Sequence, residues 1–156
     1  MNGAPLDNGP VPADGFQVLM REVMADADRF GHRQHIQLTW LAVRRFGTSA
    51  AVELVSDGIR STARYAGAPQ KYNATVSRAW VELVAHHALE TAAPRSGALD
   101  TFDSFDTFDA FADHHAALLD KRLLTRFYRP ATLAGAQART GWVEPDLAPF
   151  PWQPPQ

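Results

Sequence analysis

Apolar residues recur at spacings of three and four along most of the chain, and that period predicts helices. Phe16, Leu19, Met20, Val23, Met24 and Ala27 define the first, over 16–28, which Gly31 ends. A second runs from about His32 to Arg45 with His32, His35, Ile36, Thr39, Trp40 and Val43 on one stripe and Gly47 at its stop. A third starts after Thr48 or Ser49, either of which suits an N-cap, and continues through Val52, Val55, Ile59 and Ala63 to the breaker Gly67-Ala68-Pro69. The fourth, from about Lys71 to Ala93, is the most regular: Tyr72, Val76, Trp80, Leu83, Val84 and His87 form a long stripe that predicts a central packing helix.

Beyond Pro94 the period changes. Phe102, Phe105, Phe108 and Phe111 recur every third residue, each of the first three followed by Asp. Exact triplets drift around an α-helix by about 60° per step, so they make no single buried face, and a mobile loop or lid over 95–113 is expected. A helix from Phe108 to Phe127, with a break near Asp120, and a short helical piece over Ala131–Arg139 follow. The tail Gly141–Gln156 combines five of the 11 prolines with Trp142, Leu147, Phe150 and Trp152, which predicts an extended strap rather than a helix. Residues 1–15, with Pro5, Pro10, Pro12 and three glycines, read as a flexible arm. The expectation is one all-α domain over 16–156, a bundle of five to six helices closed by a Pro-rich strap.

Composition narrows the function classes. The 156 residues are 46% hydrophobic, enough for one sizeable core, and 15 basic against 17 acidic residues offer no excess positive charge to a nucleic acid. The absence of cysteine excludes disulfides, thiolate metal sites and a catalytic thiol. With no secretory pattern at the start and no span of about 20 apolar residues, a cytoplasmic protein without a membrane partner is expected. No Gly-rich phosphate loop, G-x-S-x-G elbow or EF-hand spacing occurs, and the Asp103, Asp106, Asp109 series reads as solvated charge.

The polar cluster with a mechanism attached is His32 and His35. Three residues apart in the first turn of a helix, their side chains emerge on one face about 5–6 Å apart. The positive end of the helix dipole disfavours the imidazolium, leaving neutral rings suited to proton transfer or metal ligation. The alternative is that both are satisfied core or capping residues. His86-His87 and His114-His115 are helical neighbours about 100° apart, so at most one of each pair joins a given pocket; His114 and His115 are placed to close over one with the Phe/Asp repeat.

Phe30-Gly31-His32-Arg33-Gln34-His35-Ile36, Tyr72-Asn73-Ala74-Thr75 and Val143-Glu144-Pro145-Asp146-Leu147-Ala148-Pro149 together resemble a family of small bacterial helical proteins, largely uncharacterised, with an F-x-H-x-x-H … Y-H-E-T … V-E-P-D-L-x-P pattern. In that family the two histidines and the His and Glu of Y-H-E-T imply a metal site. Here Asn73 and Ala74 stand at the latter positions, so the resemblance implies a retained pocket with altered chemistry. The expected function is a cofactor-independent isomerase, dehydratase or cyclase of a small aromatic or polycyclic molecule, with a place in secondary metabolism. His32, His35 and Tyr72 are its expected catalytic residues; Asn73, Thr39, Trp40, Val76, Trp80 and Tyr128 are expected to bind substrate. The alternatives are an enzyme holding a divalent metal through His32 and His35, and a non-catalytic ligand-binding or interaction protein, with a homodimer as the candidate assembly.

Overall fold

A computed structural model of the chain describes residues 14–25, 27–92 and 107–152. Among them the architecture is all-helical: α1 (Gly15–Met24), α2 (His32–Phe46), α3 (Thr48–Tyr65), α4 (Ala74–Ala92), α5 (Phe108–His114), α6 (Pro130–Ala134) and α7 (Ala136–Thr140), with single 3-10 turns at Pro69–Lys71, Ala116–Leu119 and Leu123–Arg126. Residues 1–13 of the expected arm, residues 93–106 with the Phe/Asp repeat as far as Asp106, and residues 153–156 of the expected strap lie outside the described residues. No helix among those described is long and apolar enough to cross a membrane.

α2, α3 and α4 pack against one another, with α1 laid across α2 and α3 and α7 against α4. The core has two lobes. One gathers Ile36, Trp40, Ala79, Trp80, Leu83, Val84, Phe108, Phe111, Leu118, Leu124, Tyr128 and Phe150; the other gathers Phe16, Leu19, Leu38, Val43, Val55, Val81 and Ala85. α4 is central because it feeds both: alanines 79, 85 and 88 let neighbours approach closely, while Trp80 and Leu83 face one lobe and Val81 the other. The single stripe expected of α4 is therefore half of its buried surface. α2 is divided in the same way, Ile36 and Trp40 against Leu38, Ala42 and Val43.

Where α1 crosses α3, a methyl group on Gly58 would lie 2.1 Å from the Phe16 ring, so only a residue without a side chain fits. Gly47 serves two helices. It ends α2 with its N–H bonded to the Val43 carbonyl and a φ of 87°, and α3 begins at the next residue. The cap expected from Thr48 or Ser49 is thus replaced by Gly47, with Thr48 already helical. Gly67, at φ 75°, turns the chain out of α3, and the Ala68 N–H closes back onto the Ala63 carbonyl at 2.9 Å.

α4 starts three residues later than the apolar period indicates. Asn73 accepts the Val76 N–H at 2.9 Å on its side-chain oxygen, an N-cap that leaves Lys71 in the preceding 3-10 turn and Tyr72 between the two. The helix expected over Phe108–Phe127 is a correction: α5 stops at His114, His115 leaves helical geometry, and two 3-10 turns follow. Asp120, which accepts the Arg122 N–H at 2.9 Å, turns the chain between them. Leu118, Leu123 and Leu124 still reach the core from these turns.

From Gly141 to Trp152 the chain forms no helix and is fastened to the body by polar bonds. Thr75, fully buried in the first turn of α4, donates to the Gly141 carbonyl at 2.6 Å and accepts the Val143 N–H at 3.0 Å. The Tyr128 hydroxyl donates to the Val143 carbonyl at 2.6 Å, and the Leu147 N–H reaches the Phe127 carbonyl at 2.8 Å. Phe150 then inserts into the core beside Phe127 and Tyr128.

Candidate functional site

His32 and His35 open α2, their ring centroids 6.2 Å apart and nearly perpendicular. Gln34 turns back to accept the Gly31 N–H at 3.0 Å, so capping falls to it and neither imidazole is consumed by it. His32 is half-buried, with the edge of Trp80 against it at 4.7 Å between centroids. Its Nε2 lies 2.9 Å from the Leu118 carbonyl. A carbonyl only accepts, so Nε2 carries the proton and Nδ1 keeps the lone pair.

His35 is enclosed further. Its Nε2 is buried without a hydrogen-bond partner, beside Phe30 at 6.3 Å. Burial, reinforced by the charge His32 would carry, pushes its imidazolium pKa down to about 4. Burial also lowers that of His32, opposed by the Leu118 hydrogen bond, with Lys121 lowering it further and Asp120 raising it. Both rings are neutral at pH 7, as the sequence suggests, yet the first cause is desolvation rather than the helix dipole.

The other expected site residues divide. Trp80 stands with the pair, and Thr39 touches it indirectly by donating to the His35 carbonyl at 2.9 Å. Trp40 packs between Phe108, Phe111 and the Arg44 guanidinium, which makes it core. Val76 lies against the same lobe. Asn73 has both ends engaged, its oxygen in the α4 cap and its nitrogen donating to the Leu133 carbonyl at 2.7 Å. The Tyr128 hydroxyl is committed to Val143, and burial raises its pKa well above the ordinary phenol value.

Tyr72 belongs elsewhere. It precedes α4 while Trp80 sits two turns along it, an axial separation of roughly 11 Å, and it lines a cavity of about 400 Å³ with Arg60, Arg64, Pro69, Ala74, Arg139 and Thr140. The structure thus assembles His32, His35 and Trp80, and leaves Tyr72, Asn73 and Tyr128 outside that group. No family model, curated protein or solved structure matches this chain. The likeness of its motifs to a helical bacterial family therefore rests on those motifs alone.

Two groupings were not visible in the sequence. His86, His87, His115 and His114 form a continuous run of rings, with centroids 5.2, 4.8 and 4.8 Å apart, capped by Trp152 at 5.1 Å from His86. The two pairs therefore meet each other instead of closing over His32. Among the described residues, no group of three His, Asp or Glu is arranged to hold a metal ion. The second grouping is the arginine-lined cavity at Tyr72; its only sequence signal is the spacing of four between Arg60 and Arg64 on α3, which places both on one helix face.

Proposed function

We propose that the chain is a small-molecule enzyme of the isomerase, dehydratase or cyclase type that needs no cofactor, with His32 as its proton-transferring group. The supporting observation is the state of that imidazole: Nε2–H is anchored on the Leu118 carbonyl, which leaves Nδ1 as a base in a half-buried setting. Hydrogen bonding to a fixed carbonyl holds the ring in one tautomer and orientation, as general-base catalysis requires. His35 stays neutral beside it, so a proton gained by His32 meets no second buried charge. Trp80, itself buried, packs against the imidazole and helps to hold the ring in place.

A divalent metal at this pair is the less favoured reading, because two protein donors are too few for a tightly held catalytic ion. A non-catalytic binding protein has one observation in its favour: the described cavities are lined by other residues, among them Phe16, Tyr65 and Tyr72.

The readings separate on proton exchange. Purified protein incubated in D₂O with a panel of small aromatic and polycyclic ketones, followed by NMR, is expected to accelerate exchange of a C–H next to the carbonyl for at least one member. His32→Gln should slow that exchange by about 10²-fold or more, the usual contribution of a general base. Equal rates in wild type and H32Q would remove His32 from the chemistry, and no exchange across the panel would favour the binding protein.

A further inference from the structure

Between α3, the start of α4 and α7 lies the cavity of about 400 Å³ that contains Tyr72. Its charged lining is Arg60, Arg64 and Arg139, with no carboxylate, and Pro69, Ala74 and Thr140 complete it. Arg60 lies over the Tyr72 ring at 5.9 Å and is braced by Asp57 at 2.8 Å, outside the lining. Ala74 is the first residue of α4, a helix of 19 residues, so the positive end of that helix opens on the same space. Three forked guanidiniums and a helix N-terminus around one aromatic face make a volume suited to a small ligand with a concentrated negative charge on one end and a flat body on the other.

We propose that this groove binds a phosphate monoester of a small ring compound, with the phosphate held by Arg64 and Arg139 and the ring laid against Tyr72 and Pro69. Guanidinium forks match phosphate oxygens two at a time, and both of these arginines are exposed and face the cavity without a carboxylate on its walls. Arg60, steadied by Asp57 and Tyr72, supplies the fixed third charge. The site is separate from the His32 pair and does not depend on its chemistry.

The test is calorimetric titration of the full chain with phenyl phosphate, inorganic phosphate and phenol. Phenyl phosphate is expected to bind at one site with a Kd of about 1 mM or below, with inorganic phosphate weaker and phenol unbound. Arg64→Gln and Arg139→Gln, exposed substitutions checked for an unchanged circular dichroism spectrum, should each weaken it about tenfold. Arg33→Gln, which removes an exposed arginine paired with Asp109 outside the groove, should leave it unchanged. Absence of saturable binding, or an affinity indifferent to R64Q and R139Q, would overturn the site; equal affinity for inorganic phosphate would overturn the role given to Tyr72.

Discussion

Acidification from pH 7 to pH 4 is expected to cost the fold about 3 kcal/mol through His35 alone, from a pKa near 4 in the native state against an ordinary 6.5. The direction follows from proton counting. Above pH 6.5 the ring is neutral in both states and contributes no pH dependence. Between 6.5 and about 4 the unfolded chain holds a proton on His35 that the folded chain refuses, so stability falls by up to about 1.4 kcal/mol per pH unit, then levels off. The lowered pKa of His32 acts in the same sense. Glu22, lowered chiefly by its hydrogen bond from Arg45, contributes only from its ordinary value of 4.5 downward, so the upper part of the window belongs to the histidines.

His35→Leu separates the causes. It removes the titrating ring and its unpartnered nitrogen while keeping apolar volume, so it should flatten much of the acid limb and leave stability at pH 7 equal or higher. Urea unfolding at pH 7, 6, 5 and 4 on both proteins reads this out. A wild-type curve flat between pH 6.5 and 4.5, or an unaltered limb in H35L, would contradict the burial of this ring.

Thr75→Val is the second large effect, with an expected loss of about 2–4 kcal/mol. The exchange keeps the shape and deletes one hydroxyl, yet that hydroxyl holds two backbone groups, the Gly141 carbonyl and the Val143 N–H. Stripped of it, both are left unsatisfied near a buried position, at about 1–2 kcal/mol each. Thr75→Ser retains both bonds and should recover most of the loss. Because Val143 also receives the Tyr128 hydroxyl, the loosened segment should carry Phe150 with it, and its amides should exchange faster with solvent. A loss below about 0.5 kcal/mol by urea unfolding would show that the segment is held by its aromatic contacts instead.

The sequence carried the helical period well and its interruptions poorly. Gly47, Gly67 and Asn73 act as the boundaries that their conformational preferences favour, so α2, α3 and α4 were legible to within a turn. The break at His115 was not, because Phe111 and Leu118, seven residues apart, and Leu119 and Leu123, four apart, satisfy helical spacing and pack on the core equally well from α5 and two 3-10 turns. The two-lobed core was hidden as well: Val81 and Ala85 interrupt the stripe of Trp80 and Leu83, and only a helix buried on both sides has use for them.

At the site, the three-residue spacing of His32 and His35 and their placement on the first turn sufficed to bring the rings together. The contact with Trp80 followed from two helices each showing an inward stripe. Motif order assigned Tyr72 and Asn73 to the same pocket, and here local forces prevailed. Asn73 was drawn into capping α4, and Tyr72, left just before the helix, turned toward the arginines of α3. The meeting of His87 with His115 depends on how the chain returns after residue 106, which no local pattern encodes.

The most direct test of the account is a ¹⁵N-resolved NMR titration of the histidine rings. His35 is expected to remain neutral down to about pH 4, and His32 to hold its proton on Nε2 with a midpoint below the ordinary 6.5. Titration of both rings near 6.5, or a proton on Nδ1 of His32, would contradict the buried, carbonyl-anchored pair on which the proposed chemistry rests.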